Sequence, residues 1–265
     1  MSFLTLSYSD IAIAAILIAL NAGLSIVMQL GIERRLLIAA SRMVVQLTLV
    51  GVVLKALFSM ASPILTALAL LFMILFAGRE AMARQDRKFK GWWSYGMGTT
   101  SMMVAGTVVT VFGLTTQISP DPWYDPRYAI PIMGMILGNT MNGVSIGLDR
   151  MVAGAVQDRH AIEAQLALGA DINEAMRNLT KTALKAGLIP TINGMSAAGL
   201  VALPGMMTGQ ILAGVDPVEA VKYQILIMFL IAGGTGLGLF SSVLFARRRL
   251  TDARHRLRLD RLEPL

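Results

Sequence analysis

From Leu200 to Pro217 the chain reads LVALPGMMTGQILAGVDP, a run apolar enough for a bilayer that nevertheless carries two prolines, three glycines, Thr208 and Gln210. A buried hydroxyl or amide is costly without a partner. Thr208 and Gln210, with Asn139, Asn142 and Asn193 on neighbouring apolar runs, therefore read as the lining of a protected polar path. Pro204 removes a backbone donor and can break the helix, and broken membrane helices are where transporters place substrate. Met206 and Met207 fit two accounts: pliable packing between helices that must move, or thioether ligation, which suits soft metal ions. Packing is the preferred reading. Arg42 and Gln46 lie one turn apart inside another apolar run. A charge within a membrane helix is functional by default. Arg42 can snorkel, or pair with Asp149 or Glu33; if it lines the path, it repels a bare metal ion and suits an anionic chelate. Cysteine is absent, and both histidines, His160 and His255, fall outside the apolar runs. Thiolate chemistry is excluded, a classical His metal site is not expected, and metal ligands stay unassigned.

Small residues let membrane helices approach closely. Gly134 and Gly138, Gly143 and Gly147, and Gly205 and Gly209 each form a GxxxG pair, so the fifth apolar run and the Leu200–Pro217 stretch both read as packed faces.

The elements that must hold these residues follow from composition. Of 265 residues, 55% are hydrophobic and 15% charged, and the mean hydropathy is +0.64. Long apolar runs between short charged patches predict an all-α polytopic membrane protein forming a single transmembrane domain, 1–265. Seven spans are expected, at 10–30, 36–58, 62–78, 93–115, 129–149, 186–212 and 221–245. The first is long enough to span and no cleavage site follows it, so it reads as a permanent helix rather than a signal peptide. Of the 23 Lys and Arg, only Lys55, Arg127 and Lys222 fall in one set of alternate connections, and Arg42 is inside a span. The other 19 share the opposite set and the C-terminus. The positive-inside rule then puts the N-terminus outside and the C-terminus in the cytoplasm. The net charge of +7 is thus a membrane signal rather than a nucleic-acid one. The basic tail, 246–265, reads as a collar near anionic headgroups. The connection Thr115–Pro131 reads as a stiff, non-helical outer loop with interfacial Trp123, Tyr124 and Tyr128.

The cytoplasmic connection Asp158–Gly187, part of an elbow at about 150–187, reads as two helices with a joint. Ile162 and Leu166 share a face. Gly169 fits a helix C′ position, and Asp171 can cap the next helix with Glu174 three residues on. Arg177, Lys181 and Lys185 form a basic stripe entering the sixth span. The spacing alone leaves two readings open: an interfacial helix, or a lever for a cytoplasmic partner.

EAQLALGA, Glu163 to Ala170, resembles the EAA-type coupling segment of ABC-transporter permeases. Together with RMVVQL from Arg42, PIMGMILGNTMNG from Pro131 and LPGMMTGQILAG followed by Asp216-Pro217 and Lys222-Tyr223-Gln224, it resembles the FetB-type permease family of bacterial iron-efflux ABC transporters, to which plant aluminium-tolerance half-transporters are related. The proline after the elbow glycine comes later here, at Pro190, than in the usual EAA pattern. The resemblance implies a homodimeric permease in the bacterial inner membrane, paired with two copies of a separate ATPase. Glu163, Ala164, Leu166, Gly169 and Ala170 would form the coupling contact. ATP and Mg would sit on the partner; this chain has no phosphate-loop motif and is expected to bind no cofactor, to be no enzyme by itself and to bind no nucleic acid. The rivals are a secondary transporter or channel, an intramembrane enzyme, and ABC transport of a non-metal organic solute.

Overall fold

The computed structural model describes residues 7–60, 62–85, 87–252 and 254–263, which are helical apart from short turns and isolated bridges. Two compact units are distinguished, residues 1–61 with 212–214, and 62–211 with 215–265.

The first unit is a helical hairpin of α1 (Tyr8–Val27) and α2 (Glu33–Met60). Ser7 and Asp10 form a capping box, so Asp10 belongs to a helix start rather than to a path. The turn uses Gln29 at φ 55° and Gly31 at φ 69°. It is latched by Ser25, whose Oγ donates to Glu33 at 2.8 Å and accepts from the Ile32 amide. Both helices expose leucine, isoleucine and valine on nearly every face, the pattern of a surface whose solvent is lipid. Because α2 begins at Glu33, Arg42 stands about 13 Å along it, deeper than the 9 Å expected from a span starting at 36.

The second unit holds α3 (Pro63–Ala83), α4 (Trp93–Phe112), α5 (Pro126–Gln157), α6 (Arg159–Ala167), α7 (Ile172–Ala175), α8 (Arg177–Ala197), α9 (Gly205–Leu212, of which Leu212 is grouped with the first unit) and α10 (Pro217–Arg249). Proline at the first position starts α3, α5 and α10, where its missing N–H costs nothing. Asp125 and Asp216 cap α5 and α10 through backbone amides. α4 continues as a π-helix, Gly113–Ile118, and ends at Ser119 with φ 45°. The expected irregular outer loop therefore shrinks to 119–125.

Six helices among the described residues are long and apolar enough to cross a bilayer: α1, α2, α3, α4 with its π extension, α5 and α10. The seventh expected span, 186–212, is corrected. It is divided into the end of α8, a turn at 198–204, and α9. Gly199 at φ 87° folds the turn back, with its amide on Ala202 O at 3.0 Å. Pro204 then supplies the carbonyl that opens α9.

The packing is set by glycine. A Cβ on Gly187 would meet Gly143 O at 2.6 Å, and one on Gly143 would meet Gly187 O at 2.9 Å. α5 and α8 thus cross backbone to backbone and antiparallel, with Gly147 against Ala183 O and Gly154 against Leu179. Gly234 and Gly238 of α10 lie against Ile136 and Thr140 of α5. The Gly143/Gly147 pair is packed as expected. At the other glycines expected to pack there is more room: a Cβ on Gly134 would meet Met73 at 3.3 Å, and one on Gly138, Gly205 or Gly209 would meet no described residue within 4 Å. One apolar cluster, with Met151, Met176, Leu179, Leu239 and Leu250, welds the elbow end; another, with Ile136, Ile227 and Leu230, holds the opposite end.

The tail is a folded strap. The Lys90 amide donates to Arg261 O, Phe89 bridges Leu262, and Ile172 N donates to His255 Nδ1 at 3.3 Å. Hydrogen bonds from Arg256 hold the Asp252 carboxyl at a pKa of about 2, and those from Arg258 do the same for Asp260.

Candidate functional site

Two cavities lie along the α5–α8 groove and meet at Pro190, which lines both. The larger, about 540 Å³, is lined by Arg84, Asn142, Asp149, Arg150, Ala186 and Pro190 among others. The smaller, about 330 Å³, is lined by Asn139, Thr191, Pro204, Met206, Gln224 and Met228 among others. On α5 the lining runs Met135, Asn139, Asn142, Ile146, Asp149, at steps of four and three residues. That is one helix face, about 21 Å from end to end, against a hydrocarbon core of about 30 Å. Proline explains the opening in the facing helix. Pro190 has no N–H, so Ala186 O has no i+4 donor, and both residues face the larger cavity.

Arg84, the C-cap of α3, donates from Nη1 to Asn142 Oδ1 at 2.8 Å. Sequence reasoning missed it because the third span was ended at 78; the helix runs on to Ala83 and carries the arginine to the groove. Two guanidiniums, Arg84 and Arg150, face one carboxylate, Asp149, so this cavity is net cationic. Gln224 was also missed as a site residue. It is buried, and its Oε1 has no hydrogen-bond partner.

The expected path residues divide. Asn139 and Asn142 line the groove, one in each cavity, with Asn139 Nδ2 also donating to Met135 O at 2.8 Å. Met206 lines the smaller cavity and packs on the apolar cluster around Ile227. Thr208 turns its hydroxyl back to Pro204 O at 3.2 Å. Gln210 Oε1 is enclosed without a partner but lines neither cavity. Asn193, exposed, and Met207, half-buried, also line neither. Arg42 and Gln46 belong to α2 of the first unit and are exposed there. Among the described residues no group of three or more His, Asp or Glu side chains could hold a metal ion.

The elbow has the expected joint. Gly169 sits at φ 96°, its amide on Leu166 O and that of Ala170 on Gln165 O, both 3.1 Å, which is a Schellman closure. Asp171 accepts from the amides of Asn173 and Glu174 at 2.6 and 2.9 Å, and these bonds lower its pKa, with the Glu174 amide contributing most. Glu163 is held by Arg159 at 2.9 Å. Ile162 is buried and Leu166 packs on the core, so Leu166 anchors the elbow instead of facing outward. Outward stand Ala164 and Leu168, the latter 89% exposed. The elbow is shorter than expected: α5 runs to Gln157, and α8 already contains Arg177, Lys181 and Lys185.

The sequence profile of UPF0014, described as an uncharacterised protein family, matches residues 8–251. The probable iron export permease protein FetB of Escherichia coli is 33% identical over 254 residues, 96% of each chain. A UPF0014 membrane protein of Synechocystis is 41% identical over 205 residues, covering 76% of this chain and 77% of the relative. The protein ALUMINUM SENSITIVE 3 of Arabidopsis thaliana is 32% identical over 231 residues, 87% of this chain and 82% of the relative. No solved structure matches.

Proposed function

The chain belongs to the UPF0014 family of membrane proteins, and from that premise we propose that it is the permease subunit of an ATP-driven exporter for iron, another metal ion or a metal chelate. The whole chain acts as one permease domain in a bacterial inner membrane, as a homodimer paired with two copies of a separate ATPase. The observation that carries this reading is the pair of cavities meeting at Pro190 on the α5–α8 groove. A groove that carries amides and arginines beside a helix-interrupting proline, open along one face of an otherwise apolar bundle, is a place to hold a solute and to change which side it faces.

The elbow supplies the drive. Its exposed Leu168 and Ala164 offer an apolar contact to a cytoplasmic ATPase, and the Gly169 joint and Asp171 cap make the contact stiff. α6 leads directly out of α5, and α7 leads directly into α8. A push on the elbow therefore acts on both walls of the groove. The arginines of the larger cavity favour an anionic chelate over a bare cation, which two fixed guanidiniums would repel.

The test is transport in proteoliposomes holding the permease and its ATPase. ATP-dependent movement of iron citrate is expected, falling at least tenfold in Arg84→Gln, which lacks both the charge and the Asn142 contact. Equal transport of free Fe(II) and of the chelate, unchanged in Arg84→Gln, would remove the groove from the path.

A further inference from the structure

α4 and α10 run antiparallel, as the approach of Gly113 to Leu230 and of Gly238 to Ser101 O requires. Their adjoining ends form a third, open cavity, about 520 Å³, lined by Trp92, Trp93, Phe245, Arg248, Arg249 and Arg261 among others. Its position at the end of two membrane helices is where headgroups lie, and exposed tryptophans are characteristic of that depth. The cavity is built, not incidental. Arg249 lies over the Trp93 ring, its Cζ 4.5 Å from the centroid. Arg261 reaches back from the strap and donates from Nη1 to Arg249 O at 2.7 Å and Thr251 O at 3.1 Å. Arg249 Nε is enclosed with no hydrogen-bond partner. The strap carboxylates are already taken: Asp252 by Arg256 and Asp260 by Arg258, each at 2.8 Å. Among the described residues no carboxylate pairs with Arg248, Arg249 or Arg261. Three guanidiniums thus share one hollow with an unmet donor and, among the described residues, no ion-paired carboxylate; Asp260 acts on Arg249 and Arg261 only at longer range.

We propose that this hollow is a specific site for the phosphate group of an anionic phospholipid, with the guanidiniums on the phosphate and Trp92, Trp93 and Phe245 against the glycerol and upper acyl carbons. Arginine suits the task because its planar fork matches phosphate oxygens, and a guanidinium resting on an indole is already ordered before the anion arrives. A soluble phosphate would satisfy the guanidiniums but leave the exposed tryptophans and Phe245 uncovered. The lipid satisfies both. Binding would also couple headgroup to strap, since Arg261 holds the strap to the end of α10.

The chain has three tryptophans, and Trp123 lies in the 119–125 loop. In the full-length Trp123→Phe protein, indole emission therefore reports Trp92 and Trp93 alone. Nanodiscs of phosphatidylcholine would be doped with acyl-brominated phosphatidylglycerol, or with brominated phosphatidylcholine at the same mole fraction. Phosphatidylglycerol is expected to quench with about tenfold higher apparent affinity, and Arg248→Gln with Arg249→Gln to abolish the preference. Glycerol phosphate and inorganic phosphate at millimolar concentration are expected to leave emission unchanged. Equal quenching by the two lipids would overturn the proposal, as would a preference that survives the double substitution. A response to soluble phosphate without a lipid preference would assign the hollow to a soluble anion and likewise overturn it. The comparison of lipids on the unsubstituted arginines stands by itself should the double variant fail to fold.

Discussion

Arg84 and Asn142 carry the groove's polarity, and their roles separate from those of the methionines. Asn142→Leu keeps the branched shape but leaves the Arg84 guanidinium without its oxygen at 2.8 Å. Cargo-stimulated ATP hydrolysis should fall about tenfold, because the arginine is no longer held where the cargo would meet it. Met206→Leu keeps apolar contact with the Ile227 cluster and removes only sulfur. Transport should persist within about twofold, because volume-conserving apolar exchanges are well tolerated. Assayed side by side, loss of transport in Met206→Leu with assembly intact would point to thioether ligation instead. Asn139, Asn142 and Met206 were legible in the sequence as polar or adaptable residues in apolar runs. Arg84 was not, because hydropathy ends a span where charge begins, while the helix itself continues.

Gly187 illustrates what spacing alone conceals at the scale of elements. It belongs to no GxxxG pair, yet its Cβ would strike Gly143 O at 2.6 Å. Close approach needs glycine on both backbones, and a one-chain pattern shows only one of them. Gly138 and Gly209 sit in well-formed pairs, yet a Cβ on either would meet no described residue within 4 Å. Gly187→Ala should therefore destabilise the protein by about 1–3 kcal/mol, whereas Gly138→Ala should be neutral or slightly stabilising. Thermal unfolding in detergent would measure both; equal effects would contradict the α5–α8 crossing. The sixth span shows the converse. The residues marked a break at Pro204, but not that 198–204 would leave the helix altogether, since that depends on Gly199 reaching φ 87° and on the hydrogen bond it makes to Ala202.

The strap makes a prediction in pH. Asp252 and Asp260 have pKa values of about 2 in the fold, against about 3.8 unfolded. A lowered carboxylate pKa contributes stability above the unfolded value and loses it as pH falls through the folded one. Amide exchange in 250–263 should thus be corrected for intrinsic rate and compared between pH 5 and pH 2.5. Protection should hold at pH 5 and weaken markedly below about pH 4; protection constant to pH 2 would remove the ion pairs from the strap's support.

For the whole molecule, the basic connections of the second unit gather at one of its ends, where α3, α5 and α10 finish and α4 and α8 begin. The positive-inside rule assigns that end to the cytoplasm. A chain without cysteine makes the orientation directly measurable. A cysteine at Ser119 should react with an impermeant maleimide in intact cells, and one at Gln157 only after permeabilisation. The reverse pattern would invert the orientation and place the elbow where no ATPase can reach it. Fold class was legible from apolar length and charge placement. The groove was not, because it forms where α5 and α8, separated in sequence by the elbow, come together.

The central claim is that a separate ATPase works through the elbow. Its most direct measurement is affinity purification of the full chain from its own membranes, with the stoichiometry of any bound ATPase determined by quantitative mass spectrometry. We expect one ATPase per permease chain. That ATPase should be lost in Glu163→Lys, which sets a second cation beside Arg159, and weakened in Gly169→Val, where φ 96° strains any β-branched residue. A permease that purifies alone, or an ATPase retained equally by both variants, would contradict the account.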